Sequence, residues 1–265
     1  MGTRQNLLIF FYLVSLWFLQ GEAASLKRTG PKFVYRGASR SPQQIQAAGG
    51  FLPKGLKTVG EVAPDISLWN HVDVPEQFDN NSNSILVPTA DDDGYVAFTK
   101  SYILALGYAF YTRQGDITWI YKVKTTPNMI DVTKTLGKYN LYAEEDEFAA
   151  LGGVKWDQIV SWYKVEKKRL HSFSWLWPNK NKDYNAKRYS GFRAGGAQYS
   201  LAGFPPGHEA WNEEPWKQYK PCPGESGATS TQENNKEASA DPMICKSAQY
   251  AFQAAKTYMA KLKLY

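Results

Sequence analysis

Long hydrophobic runs, recognised nucleic-acid motifs and internal repeats are scarce in this 265-residue chain. After the apolar run from Leu7 to Leu19, no segment is long enough to cross a bilayer, so we expect a soluble product. The net charge of +6 comes from scattered basic residues. Without a motif or a concentrated basic patch, this charge does not indicate nucleic-acid binding.

Cysteine is also rare, with only Cys222 and Cys245 in the sequence. An even pair in a secreted chain predicts one disulfide bond. Between them lies a polar, Gly-, Ser- and Thr-rich stretch, which predicts a surface loop accessible to proteases. The segment after Cys245 has the apolar spacing of an amphipathic helix, which would pack on its own domain or on another chain. We therefore predict that residues 222–265 form a disulfide-linked loop and a C-terminal helix.

The N-terminus has the pattern of a secretory signal peptide. Arg4 precedes the apolar run, and the small-residue stretch GEAAS follows it, which predicts a signal peptide over residues 1–24. The basic pair Lys27 and Arg28 resembles a processing site and makes 25–28 a candidate propeptide. Together with a glycosylation sequon at Asn80, this pair favours a eukaryotic, fungal-type source. We expect a secreted, extracellular protein.

The pattern along the remaining chain is typical of an α+β fold, because helix and strand signals alternate. RSPQQIQAAGG predicts a short helix capped by Ser41, with Pro42 at its first position and Gln44 completing a capping box. DITWIYKV and QIVSWYKV predict strands with one covered face, and SYILALGYAFYTR predicts a buried helix.

One acidic run is a candidate for chemistry. YAEEDEFAALGG places four consecutive acids, residues 144–147, before an apolar segment that ends in two glycines. Most runs of this kind are solvated loops. The alternative is a catalytic pair of carboxylates, and composition does not decide between the two.

Three segments together resemble the enzymatic A subunits of cholera toxin and heat-labile enterotoxin. They are FVYRGASRSPQQIQAAGGFLPKG, ALGGVKWDQIVSWYKV and LAGFPPGHEAWNEEPW, and the shorter matches LWNH, DDGYV and PNMIDV lie between them in family order. The resemblance implies a secreted mono-ADP-ribosyltransferase over residues 25–221. It also implies an ADP-ribosyltransferase fold with a mixed β-strand core around a cleft for NAD. NAD would be the co-substrate, a host-protein arginine the acceptor, and no metal would be needed.

The resemblance assigns roles to particular residues. Glu147 takes the place of the glutamate that binds the ribose, and Glu145 that of the glutamate that orients the acceptor guanidinium. If the backbone there is extended, the two side chains point to the same side. Arg36 would contact the NAD phosphates, and His71 aligns with an active-site histidine, although a structural role is equally compatible with its position.

Two departures from the family pattern bear on activity. The usual Ser-Thr-Ser after DDGYV is replaced by Ala97, Phe98 and Thr99, so only Thr99 keeps a hydroxyl for the NAD pocket. Losing a hydrogen bond to a charged group costs about 1.5–3 kcal/mol. The acid expected two residues after Arg36 is Ala38.

These departures keep two other functions open. One is a catalytically silent effector that binds a host protein, and the other is an NAD glycohydrolase without a protein acceptor. The short C-terminal segment, which carries no retention signal, gives no support for a receptor-binding B subunit. The site of action would be the interior of a host cell.

Overall fold

The structure, a computed structural model, describes residues 30–56, 64–72, 76–78, 84–86, 92–111, 116–166 and 177–220. The signal peptide, the candidate propeptide, the Asn80 sequon, both cysteines and the C-terminal helix lie outside these residues. Those assignments, and the boundaries at 1–24, 25–221 and 222–265, therefore stay predictions. No helix in the described ranges is long and apolar enough to cross a membrane.

An antiparallel β-sheet organises the described part of the chain. Its strands are β1 (Phe33–Ala38), β5 (Tyr95–Thr99), β6 (Ile117–Lys124), β7 (Met129–Asp131), β8 (Glu147–Leu151), β10 (Ile159–Glu166) and β11 (Asn179–Lys180). They pair in the order β11-β10-β6-β1-β5-β8-β7. The strands predicted from DITWIYKV and QIVSWYKV are confirmed as β6 and β10, whose β-branched and aromatic residues suit a pleated, covered surface. The expectation of one covered face is wrong for β6, because Tyr121 and Val123 pack in one hydrophobic core and Ile120 packs in another.

Shorter elements flank this sheet. Two further strand pairs are β2 (Gly50–Phe51) with β9 (Val154–Lys155) and β3 (Glu76–Phe78) with β4 (Ser84–Leu86). The helices are α1 (Pro42–Ala47), α2 (Leu68–Val72), α3 (Tyr102–Tyr111), α4 (Val132–Leu136) and α5 (Ala186–Tyr189). Short 3₁₀ turns occur at Lys54–Leu56, Gly137–Tyr139, Ala143–Glu145, Trp156–Gln158, Tyr199–Leu201, Glu209–Asn212 and Trp216–Tyr219. The α+β class is confirmed.

Helix α1 begins as the sequence predicts. The Ser41 side chain accepts from the Gln44 backbone N–H, and the Gln44 side chain accepts from the Ser41 backbone N–H, which completes the capping box. Pro42 occupies the first turn, where its missing N–H costs nothing. This helix directly follows β1 and therefore fixes one end of the strand that carries Arg36.

Helix α3 forms where it was predicted, but it is not buried on all sides. Ile103 is 70% exposed, whereas Ala105 and Ala109 are fully buried against the sheet. The close approach depends on Gly37 in β1. A Cβ at Gly37 would lie 2.4 Å from the Ala105 carbonyl oxygen and 2.7 Å from the Ala109 nitrogen. One face of the helix therefore covers the sheet beside Arg36, and Ile103 lies on the face that is open to solvent.

The two faces of β5 and β8 pack into separate hydrophobic cores. Tyr95, Ala149 and Leu151 belong to the core that includes α2 residues, and Phe98 and Phe148 belong to the core that includes Phe51. Alternate residues of a strand point to opposite faces. Glu147, which starts β8, therefore shares its face with Ala149, and thus points toward the core that contains α2.

Candidate active site

The acidic run folds into a tight turn followed by a strand. Ala143–Glu145 form a 3₁₀ turn, Asp146 has a left-handed φ of 50°, and β8 begins at Glu147. The backbone between Glu145 and Glu147 is not extended, so the condition under which both side chains would point to the same side is not met: the Glu145 N–H donates to the Tyr142 carbonyl oxygen at 3.0 Å and closes the turn. The two carboxylates nevertheless interact. Burial raises the pKa of Glu145, and the negative charge of Glu147 raises it further.

The other two acids of the run have different environments. Glu144 is exposed. Asp146 forms an ion pair with Lys100, with Nζ 2.6 Å from Oδ1, and its carbonyl oxygen accepts from the Lys100 N–H at 3.2 Å. Asp146 therefore holds the turn against the end of β5. The candidate catalytic pair is limited to Glu145 and Glu147.

Glu147 is held by a buried histidine. Glu147 is 8% exposed, and its Oε1 lies 3.0 Å from Nε2 of His71. The other ring nitrogen of His71, Nδ1, lies 3.0 Å from Oδ2 of Asp93. The second oxygen of Asp93 accepts from the Tyr95 backbone N–H at 2.9 Å. We call Asp93 and His71 the Glu147 tether.

Local structure fixes both members of the tether. His71 lies on α2, whose Leu68 and Val72 are buried in the adjacent core. Asp93 is held by an isolated β-bridge to Asp65, and the neighbouring Gly94 N–H donates to the Asp65 carbonyl oxygen at 2.8 Å. The segment that leads into α2 thus also positions the aspartate beneath it. Both ends of the tether depend on the same stretch of chain.

The imidazole of His71 is positively charged at neutral pH. Burial lowers the pKa of His71, but the Glu147 carboxylate and the hydrogen bonds with Asp93 and Glu147 outweigh it and raise the pKa to about 10. As an imidazolium, His71 donates from both ring nitrogens, and hydrogen bonds between charged groups are the strong ones. Asp93 offsets the positive charge of His71. The group of three thus presents one net negative charge, at Glu147.

Arg36 lies close enough to Glu147 and Asp93 to interact with their charges. Its Nη1 donates to the Ala97 carbonyl oxygen at 2.5 Å, and its guanidinium carbon lies 5.6 Å from the centre of the Phe51 ring. Its Nε is buried without a hydrogen-bond partner among the described residues. Burial and the charge of Arg40 lower the pKa of Arg36 to about 10, with Glu147 and Asp93 opposing them. Arg36 is thus a cation at neutral pH.

The residues that replace Ser-Thr-Ser have structural roles in the described site. Ala97 contributes its backbone carbonyl to Arg36. Thr99 is the Cα partner of Glu147 on β5, and its hydroxyl accepts from the Ser101 N–H at 3.0 Å at the start of α3. Its binding to NAD stays a prediction. The carboxylate of Glu147 is held by His71, so a hydroxyl at these positions is not its only anchor.

Glu145 has a separate hydrogen-bond partner. The hydroxyl of Tyr108, on α3, donates to Oε1 of Glu145. Glu145 and Tyr108 are both half-buried. The site therefore contains one carboxylate fixed by a histidine and a second fixed by a tyrosine, with a partly unsatisfied arginine nearby. No group of His, Cys, Asp and Glu suited to a metal ion occurs within the described ranges.

Comparison with known proteins identifies the family. The family model for the heat-labile enterotoxin alpha chain matches residues 18–263. The chain belongs to this family. The enterotoxin resemblance inferred from the three sequence segments is thereby confirmed, and with it the ADP-ribosyltransferase class of fold.

Individual relatives agree with this assignment. The chain is 34% identical to the cholera enterotoxin A protein of Vibrio cholerae over 197 residues, covering 71% of this chain and 70% of that protein. It is 31% identical to an NAD(+)--arginine ADP-ribosyltransferase of Vibrio cholerae, covering 71% of this chain but 30% of that longer protein. A solved heat-labile enterotoxin double mutant is 26% identical, with a TM-score of 0.62, covering 87% of this chain and 92% of that one.

Two residues of the site were missed by sequence reasoning. Asp93 lies within the DDGYV match, but neither acid of that match was assigned a role. A pair of acids directly before a strand was the available signal. Tyr108 gave no signal, because it is one of several aromatic residues in an apolar helix. Only the packing of α3 against the acidic turn identifies it.

The charged state of His71 gives a pH prediction. A histidine whose folded pKa is about 10, above its ordinary 6.5, stabilises the fold fully below pH 6.5, and this contribution is lost as the pH rises through 10. We expect the difference in unfolding free energy between wild type and His71→Gln to be largest below pH 6.5. It should shrink as the pH rises toward 10, because the imidazolium then loses its proton. Denaturant unfolding at several pH values measures this difference.

NMR of the imidazole nitrogens measures the protonation state of His71 independently. The chain has three histidines, so the His71 signals are assigned by their loss in His71→Gln. We expect both ring nitrogens of His71 to remain protonated at pH 8. A neutral His71 at pH 7 would refute the charged tether.

Proposed function

We propose that this enterotoxin-family protein is a toxin that transfers ADP-ribose from NAD to an arginine side chain of a protein. The observation that carries the proposal is the pair Glu145 and Glu147, in which each carboxylate is fixed by its own partner. Family membership supports the reaction type, and the Vibrio cholerae transferase supports arginine as the acceptor.

Glu147 would act on the sugar. The bond between the ribose carbon and the nicotinamide nitrogen breaks, its electron pair leaves with nicotinamide, and positive charge develops on the ribose. Carboxylates stabilise such oxocarbenium-like states in glycoside hydrolysis. Since the Glu147 carboxylate contacts His71 through Oε1, its other oxygen, Oε2, can contact a ribose hydroxyl. The tether keeps the carboxylate oriented, so little reorganisation is required as the charge forms.

Glu145 would act on the acceptor. A guanidinium binds a carboxylate through paired hydrogen bonds, which suits selection of arginine. When a guanidinium nitrogen attacks the ribose carbon it must lose a proton, and Glu145 would receive it. Burial raises the pKa of Glu145, which makes its carboxylate a better base than an exposed one.

Arg36 would bind the NAD phosphates, because a guanidinium presents a fork donor to anionic oxygens and the described hydrogen bond of Arg36 uses Nη1. We expect Arg36→Lys to raise the KM for NAD about tenfold to hundredfold, corresponding to a lost charge-assisted hydrogen bond of about 1.5–3 kcal/mol. Initial rates over a range of NAD concentrations measure this change. Arg40→Lys, at a nearby exposed arginine, is the matched control and should change KM little. Equal effects of the two substitutions would argue against a specific role for Arg36.

The relatives also indicate the kind of acceptor and the place of action. An arginine transferase implies a protein substrate, and the enterotoxin relatives suggest action outside the producing cell, on a host. We propose that the chain is secreted and modifies its target inside host cells.

A catalytically silent effector is the main alternative, favoured by Ala97 and Ala38 in place of the family's polar residues. Calorimetry with NAD, combined with transfer of labelled ADP-ribose to an arginine-containing protein, separates the two functions. We expect NAD binding and label transfer. Tight NAD binding without turnover, or no binding by a folded protein, would favour the silent effector. Nicotinamide release that arginine does not accelerate would favour an NAD glycohydrolase.

A further inference from the structure

Tyr108 links helix α3 to the acceptor glutamate. Its hydroxyl donates to Oε1 of Glu145 across 37 positions of sequence, so the contact is tertiary and not a property of the acidic turn itself. Tyr108 lies in the C-terminal half of α3, which Ala105 and Ala109 hold against the sheet. The tyrosine is therefore presented from a rigid support.

The acidic turn is attached to the α3 region at a second point. The Lys100 ammonium and backbone N–H both contact Asp146, the residue after Glu145. Lys100 thus fixes the backbone of the turn, and Tyr108 fixes the carboxylate. A glutamate with a fixed backbone still has rotatable side-chain bonds. The hydrogen bond from Tyr108 is therefore the contact that orients the Glu145 carboxylate.

The orientation of Glu145 needs such a contact. Its carboxylate is half-buried and lies within the electrostatic influence of Glu147 and Glu144. Repulsion from both would favour rotamers that turn Glu145 toward solvent. The hydrogen bond from Tyr108 opposes this movement. It occupies one acceptor direction of Oε1 and leaves Oε2 and the second direction of Oε1 for a guanidinium.

We propose that Tyr108 is a positioning residue for the acceptor. By holding the Glu145 carboxylate in place, it favours attack on the ribose by arginine over attack by water. This inference rests on the proposed function. It adds a determinant of acceptor choice that lies on α3, away from the NAD contacts.

A pH signature accompanies the role. Burial raises the pKa of Glu145, Tyr108 lowers it through its hydrogen bond, Glu147 and Glu144 raise it, and His71 lowers it. Removing the Tyr108 hydroxyl therefore raises the pKa of Glu145. Since a guanidinium needs the ionised carboxylate, the acidic limb of the transfer rate should move to higher pH in Tyr108→Phe. NAD hydrolysis, which does not use Glu145 in this proposal, should keep the pH dependence of the wild type.

The test compares transfer and hydrolysis in the full chain. We expect Tyr108→Phe to lower kcat/KM for transfer to agmatine, a small guanidinium acceptor, about tenfold, the scale of one hydrogen bond to a charged group. NAD hydrolysis without acceptor should stay near the wild-type rate. Tyr102→Phe is the matched control, because Tyr102 lies on the same helix and its buried hydroxyl has no hydrogen-bond partner among the described residues. It should change neither activity.

A double-mutant cycle shows whether Tyr108 acts through Glu145. In a Glu145→Gln background, Tyr108→Phe should lower transfer much less than it does in wild type. Equal loss of transfer and hydrolysis in Tyr108→Phe, or an undiminished effect in the Glu145→Gln background, would overturn the positioning role. An unchanged ratio of the two activities would overturn it as well. A wild-type protein with neither activity would instead overturn the proposed function, and this inference with it.

Discussion

Replacing Glu147 by glutamine should lower both ADP-ribose transfer and NAD hydrolysis by about 10²–10³-fold, the scale of losing one preorganised electrostatic group. Glutamine keeps the shape of the side chain but removes the negative charge that would stabilise the developing ribose cation. It also leaves the His71 imidazolium facing a neutral amide. Initial rates of nicotinamide release, with and without an arginine acceptor, measure the change.

Glu144→Gln is the matched control for this prediction. Glu144 belongs to the same acidic run but is exposed. The Glu144→Gln variant should keep both activities near those of the wild type. Thermal unfolding of both variants tests whether they are folded. A folded Glu147→Gln protein with full hydrolysis would show that Glu147 does not act on the ribose.

Replacing Glu145 by glutamine should separate the two activities. We expect transfer to arginine to fall about 10²-fold or more, the scale of losing a positioned general base. NAD hydrolysis should be much less affected, because Glu147 and Arg36 do not depend on Glu145 for their contacts. Parallel assays of labelled ADP-ribose transfer and nicotinamide release give the ratio.

The neighbouring Asp146 provides the comparison for Glu145. Asp146→Asn weakens the ion pair with Lys100 and disturbs the turn, but it removes no proposed reactive group. It should lower transfer less than Glu145→Gln does. If Glu145→Gln reduced hydrolysis and transfer equally, Glu145 would be part of the NAD site and not an acceptor residue.

The features that were predictable from sequence are those with local causes. Helix α1 follows from its own capping box, since Ser41 and Gln44 satisfy each other's backbone groups without help from the rest of the chain. Strands β6 and β10 follow from their β-branched and aromatic residues, which suit a covered sheet. The prediction that Glu145 and Glu147 are the reactive acids follows from the family resemblance, not from the acidic run alone.

What could not be predicted depends on contacts between distant segments. The left-handed Asp146 and the turn before Glu147 break the extended geometry that a spacing of two residues suggests, and Lys100 holds that turn from outside. His71 and Glu147 are separated by 76 positions. A sequence pattern does not show that two such distant residues are in contact. A structural and a functional role for His71 were therefore equally compatible with the sequence.

Replacement of the family's Ser-Thr-Ser removes two of three hydroxyls near Glu147. His71 is not a substitute for them, because it aligns with a histidine that the family also has. His71, which is itself held by Asp93, nevertheless fixes the Glu147 carboxylate. Alanine at position 97 is therefore compatible with an oriented Glu147 carboxylate.

The most direct test of this account is nicotinamide release by the wild-type chain, measured with and without agmatine. The measurement should be made on the chain as produced and again after limited proteolysis and reduction, because a cleavable disulfide loop is predicted between Cys222 and Cys245. We predict release that agmatine accelerates, with ADP-ribosylated agmatine as the product. A folded protein that releases no nicotinamide in either form would contradict the assignment of Glu145, Glu147 and Arg36 as a working site.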